Sequence, residues 1–179
     1  MKFQPDMNYL VDSFRRIVET PSPVGFYRLL NPILEQEAER FGCQVTYDRR
    51  GTPYIILEGQ DNSKSVLVGA HSDTVGFVIR RIDPNGMIRV RQLGGISYTS
   101  CEGETVTIHT RDGRVYTGLF SCQSHSVHVF DDARTLERTE KTMVVLLDQK
   151  VSSKEDVLKL GIRNGDFISV DPRCQLTET

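Results

Sequence analysis

The sequence predicts an α/β chain that gives way, from about residue 75, to a β-rich module. Two apolar stripes at helical spacing end before residue 42, three strand-like runs follow between 43 and 71, and strand-like pieces with hairpin-type turns fill most of the remainder. With 179 residues, 38% of them hydrophobic and 26% charged, the chain can bury a core as one domain or two small ones.

Leu10, Phe14, Ile17 and Val18 recur at helical spacing between Pro5 and the breaker run TPSP at 20–23, which predicts a short amphipathic helix starting near Asp6 or Asn8. Phe26, Leu29, Leu30, Ile33, Leu34, Ala38 and Phe41 form a second stripe, with Glu35, Glu37, Glu39 and Arg40 on other faces and Gly42 as the terminator. Pro32 either kinks this helix or delays its start. CQVTYD, PYIILE and SVLVGAH then read as three strands separated by RRGT and GQDNS. The third has the continuous apolar character of a strand covered on both faces, which puts His71 at or just beyond its carboxyl end.

From about 75 the pieces GFVIRRI, MIRVRQL, ETVTIHT, RVYTGLF and TMVVLLD alternate as strands do, with hairpin-type turns at DPNG (83–86) and RDGR (111–114). A small barrel or sandwich is expected. One helix signal remains: Ser152 or Ser153 caps KEDVLKL, Glu155 or Asp156 completes a capping box, and Gly161 stops it. GDFISV at 165–170 returns to strand.

A net charge of -2 with scattered arginines argues against a nucleic-acid partner. No apolar stretch reaches the ~20 residues of a bilayer span, and MKFQPDMNYL lacks the build of a secretory signal, so no membrane partner is expected and the chain reads as cytoplasmic. Cys43, Cys101, Cys122 and Cys174 are neither dense nor paired as CxxC and are expected to be buried free thiols. No phosphate loop, dinucleotide glycine fingerprint or serine nucleophile elbow is present.

His71 and Asp73 stand two apart in VLVGAHSDTVGF, a spacing that puts both side chains on one side of an extended segment. An imidazole binds zinc or cobalt, and a nearby carboxylate can accept its other N–H and fix the tautomer. The same pattern also describes a hydrogen-bonded histidine closing a strand. Cys122, His125 and His128 could meet at a metal only across a turn or bulge, so structural use is expected. His109 is expected to face outward from its strand. Glu102 with Glu104, and Asp131 with Asp132, are pairs that could supply acid and base but read as solvated turn residues.

With VLVGAHSDTVGFVI in view, the chain resembles the cobalt- or zinc-dependent aminopeptidases of the glutamyl aminopeptidase and endoglucanase-like metallopeptidase family, marked by a strand followed by AHxDxxGF. Also similar, in order, are the SP-x-GF region at 22–26, YDRRGTPY at 47–54, GETVTIHTRDG at 103–113, SVHVF at 126–130 and LDQKVSSKEDVLKLGIRNGDFISVDPR at 147–173. Thr74 stands where many relatives carry glutamate.

The resemblance implies a phosphopeptidase-like, three-layer α/β catalytic domain interrupted by the β-rich module. Residues 1–74 would be its amino-terminal part, 75–164 the inserted module, and 165–179 the start of the return to the catalytic domain. It further implies two divalent ions, zinc or cobalt, with His71 as a ligand of one and Asp73 as the aspartate that orients it. The substrates would be short peptides that lose amino-terminal residues, and the assembly a homo-oligomer. In the family the remaining ligands and the general-base glutamate follow the DPRC-like segment, and no residue here matches them. The expectation is therefore a truncated, catalytically incomplete piece of that lineage. The alternative is a non-enzymatic oligomerisation or interaction module derived from it.

Overall fold

The structure is a computed structural model that describes residues 4–177. Helix α1 (Met7–Val18) starts where the sequence puts a cap, with the Asp6 side chain accepting the Tyr9 N–H at 3.0 Å. Pro32 lies in the first turn of α2 (Asn31–Arg40), where its missing N–H is harmless, so it delays the helix and leaves Phe26, Leu29 and Leu30 in the preceding turns. Gly42 ends α2 at φ +69°, and the Cys43 N–H returns to the Ala38 carbonyl at 2.8 Å. Polar contacts join the two helices: the Tyr9 hydroxyl donates to Glu37 at 2.9 Å, and Arg16 reaches Glu37 and Gln36. Leu10 and Phe14, the apolar face of α1, stay exposed.

Strands β1 (Val45–Tyr47) and β2 (Pro53–Ile55) pair antiparallel, with Val45 opposite Ile55. The third expected strand does not form. Val66, Leu67 and Val68 are 90%, 85% and 89% exposed, and among the described residues no strand lies beside them. An apolar run becomes a covered strand only where ladder partners and packing layers reach it, and here β1 and β2 pair with each other alone.

The β-rich region is a closed barrel. Its strands are β3 (Gly76–Ile82), β4 (Ile88–Leu93), β5 (Thr105–His109), β6 (Val115–Cys122), β7 (Met143–Leu147) and β8 (Phe167–Val170), joined in the order β3-β4-β7-β6-β5-β8 with β8 returning to β3. GDFISV, read from the sequence as the return to the α/β layer, instead closes the barrel: Phe77 pairs with Ile168 on one side of β8 and Ile108 pairs with it on the other. Closure leaves no open edge, which explains why this short strand belongs to the sheet. DPNG and RDGR make the turns of the β3–β4 and β5–β6 hairpins, with Gly86 and Gly113 at φ +85° and +87°.

The interior is filled by Phe77, Ile79, Val90, Val106, Ile108, Phe120, Met143, Val145 and Ile168, all buried. The helical turn α3 (Tyr98–Cys101) adds Tyr98 against Phe77 and Phe120. Helix α4 (Lys154–Lys159) adds buried Val157 and is capped as expected, Ser153 Oγ accepting the Asp156 N–H at 3.2 Å.

The chain enters the barrel through a tight joint. The Thr74 N–H donates to the Ser22 carbonyl at 2.9 Å, and Ser22 Oγ donates to the Ser72 carbonyl at 3.0 Å. At Gly76 a Cβ would lie 2.6 Å from the Ile168 carbonyl oxygen and 2.8 Å from Pro23 Cγ. Gly76→Ala is therefore expected to destabilise by about 1–3 kcal/mol through overpacking. Chemical denaturation that gives a midpoint equal to wild type would contradict that close approach.

Candidate functional site

His71, Ser72 and Asp73 line a cleft with Tyr27, Leu30 and Leu34 on one side and Arg50 to Pro53 on the other. The cleft exists because the Ser22–Thr74 joint fixes the end of the HSD segment, while the β1–β2 turn brings Arg50 and Thr52 opposite. That turn is itself braced by the Asp48 carboxylate, which accepts the Arg50 and Thr52 N–H groups at 2.8 and 2.9 Å. These bonds hold the Asp48 carboxyl below its ordinary value.

The His71 ring is 85% exposed and the Asp73 side chain 37%. Nδ1 of His71 lies 3.2 Å from the Asp73 carbonyl oxygen and 3.8 Å from its carboxylate Oδ1. The acceptor within hydrogen-bond reach is thus the Asp73 main-chain carbonyl and not the carboxylate that the sequence suggested; with Nδ1 as the N–H donor, Nε2 is the nitrogen left with a lone pair for a metal. A catalytic zinc takes three protein ligands. Among the described residues no three His, Cys, Asp or Glu side chains come together in that way. The pair offers one imidazole and one orienting acceptor, and these residues alone do not complete a site.

The other sequence candidates are dispersed. Cys122 is buried at the end of β6, whereas His125 and His128 are exposed on the following loop, and His125 packs against Phe130 instead. Glu102 accepts Arg138 Nε at 2.8 Å and Glu104 pairs with Arg173 at 2.7 Å, so both carboxylates are used in tying loops together. Asp131 and Asp132 are exposed. All four cysteines are free, with Cys101 and Cys122 buried and Cys43 and Cys174 half-buried.

His109 faces out of the barrel as expected, on the side of β5 opposite interior Val106 and Ile108, but it is not exposed. It is buried, its Nε2 lies 2.9 Å from Ser169 Oγ, and its ring rests on Phe26 with centroids 4.7 Å apart. Burial, reinforced by the positive charge of Arg28, lowers its pKa to about 4. Strand alternation could not reveal this, because the cover is Phe26, which arrives from a turn more than 80 residues earlier. Asp166 was also missed: its side chain is fully buried at the start of β8, and burial raises its pKa.

Among the described residues no helix is long and apolar enough to cross a membrane. The sequence profile of the M42 glutamyl aminopeptidase family matches residues 51–179. YhfE of Bacillus subtilis (strain 168) is 34% identical over 170 residues, covering 94% of this chain and 49% of that protein. The fold is similar to the TET aminopeptidase of the marine sediment archaeon Thaumarchaeota archaeon SCGC AB-539-E09, with TM-score 0.81, 23% identity and coverage of 97% of this chain and 47% of that one. The Pyrococcus horikoshii TET1 peptidase, which can assemble into a tetrahedron or a large octahedral shell, matches with TM-score 0.72, 22% identity and coverage of 90% and 46%. The chain thus spans about half the length of the relatives it matches. With most of its length inside the matched profile, the chain belongs to the M42 glutamyl aminopeptidase family.

Proposed function

We propose that this chain carries part of a cytoplasmic metal-dependent aminopeptidase that removes amino-terminal residues from peptides. In this reading residues 1–74 belong to a three-layer catalytic α/β domain into which the barrel is inserted. His71 would contribute Nε2 to one of two divalent ions, zinc or cobalt, and Asp73 would orient the ring. Such a metal pair would supply Lewis-acid polarisation of a peptide carbonyl and a more acidic water. The work of this chain's own residues is to hold the imidazole tautomer through Asp73 and to anchor that segment through Ser22 and Thr74. The observation that carries the reading is the His71 ring turned by Nδ1 toward Asp73, at 3.2 Å from its carbonyl, beside an open cleft in a chain of this family.

The described residues bring one histidine and one aspartate to that cleft, so the 179-residue chain by itself is proposed not to sustain two-metal hydrolysis. The purified chain, given an aminoacyl chromogenic amide with zinc or cobalt, is expected to release no product. Metal-dependent release abolished by His71→Ala would overturn the incompleteness and leave an intact enzyme.

A second reading has its own support. The barrel is closed and fully packed, whereas the segment before it leaves apolar side chains exposed. This favours a non-enzymatic assembly module that retains the oligomer-forming part of the lineage, as the shell-forming TET1 peptidase would suggest. A defined homo-oligomer by light scattering, indifferent to chelator and to His71→Ala, distinguishes it from the catalytic reading.

A further inference from the structure

A second cavity, of about 320 Å³, lies where the turn at 25–28 crosses the rim of the barrel. Its walls include Phe26 and Phe167, whose ring centroids are 5.2 Å apart, together with His109, Arg28, Arg111 and Asp166. Its size is at the lower end of small-molecule pockets, which run from ~300 Å³ upward.

Asp166 is the unusual member. Its side chain is fully buried, Oδ2 accepts the Arg163 N–H at 2.8 Å, and Oδ1 has no hydrogen-bond donor. The nearest cation is Arg111 Nε at 3.7 Å, on a side chain that is 74% exposed, too far for a hydrogen bond. A buried carboxylate oxygen without a donor is costly and points to an absent one. Two cations line the same cavity with N–H groups to spare: Arg28 Nη2 donates to the Thr110 carbonyl and Arg111 Nη2 to the Asn164 carbonyl, each at 3.1 Å. Arg28 also lies over the Phe26 ring, 4.8 Å from its centroid.

One acceptor awaiting a donor, two guanidiniums and an aromatic wall in a small cavity fit a zwitterion with an apolar side chain. We propose that this cavity binds a free amino acid, its α-ammonium reaching Asp166 Oδ1 as the exposed Arg111 side chain swings off it, its α-carboxylate held by Arg28 and Arg111, and its apolar side chain by Phe26 and Phe167. The site is distinct from His71, although Tyr27 lines both cavities, so an occupant would brace the turn that also walls the His71 cleft.

The test is an NMR titration of the full chain with L-leucine, with N-acetyl-L-leucine and L-leucinamide as probes lacking one charge each. Saturable amide shifts are expected at residues 109–111 and 165–167, with affinity at least about tenfold weaker for either one-charge probe. Asp166→Asn, whose side-chain oxygen can still accept the Arg163 N–H, and Arg111→Gln, at an exposed side chain, should each weaken leucine by a similar factor while leaving the spectrum folded. His71→Ala should leave leucine binding unchanged, so this proposal and the metal reading fail separately. Absence of saturable shifts at those residues, equal binding of the acetylated probe, or loss of leucine binding in His71→Ala would overturn the assignment.

Discussion

Phe120→Ala is expected to lower the unfolding free energy by about 3–5 kcal/mol, a large part of the ~5–15 kcal/mol that holds a typical domain. Phe120 is fully buried on β6, stacked on Phe77 of β3 at 4.5 Å between centroids, with Tyr98 6.1 Å away. It therefore links strands that are not neighbours in the sheet, through the middle of the barrel. Truncation removes the buried ring and leaves a void that a closed sheet cannot collapse to fill. Urea unfolding followed by circular dichroism measures the loss, and a change below about 1 kcal/mol would mean that the interior is not packed around this pair.

Acid should weaken the fold through His109. Its folded pKa of about 4 lies below the ordinary 6.5, so between those values the unfolded chain binds more protons than the folded one. The stability contributed by keeping this ring neutral is complete above pH ~6.5 and is lost progressively as pH falls toward about 4, on the order of 3 kcal/mol in all. Asp166 acts in the opposite direction, because burial raises its pKa and the folded state favours its protonated form. The informative quantity is thus the difference between wild type and His109→Gln. Wild type should lose stability between pH 6.5 and 4 relative to the variant, and parallel profiles would show that the imidazole is not held neutral by burial.

Local signals in the sequence translated well into local structure. Asp6 caps α1, Pro32 sets the start of α2, Gly42 and Gly161 follow helix ends, and DPNG and RDGR turn hairpins, because each depends on contacts a few residues away. The barrel was legible as a class, but its order was not: β8 closes against β3 and β5 through pairs 58 to 93 residues apart, and nothing in GDFISV specifies those partners. SVLVGAH failed for a related reason, since apolar character shows that a segment can be covered but not what covers it. At the candidate site, the HxD spacing placed His71 beside Asp73, whereas the aromatic cover of His109 and the burial of Asp166 depend on distant segments meeting at the barrel rim.

In the proposed function His71 supplies one ligand of a metal centre that the described residues do not complete. Calorimetric titration of the purified chain with zinc, beside His71→Ala, tests it most directly. A single weak site is expected, with Kd between about 1 μM and 1 mM, that disappears in the variant. Two tight sites in the chain alone, or zinc binding that survives His71→Ala unchanged, would contradict it.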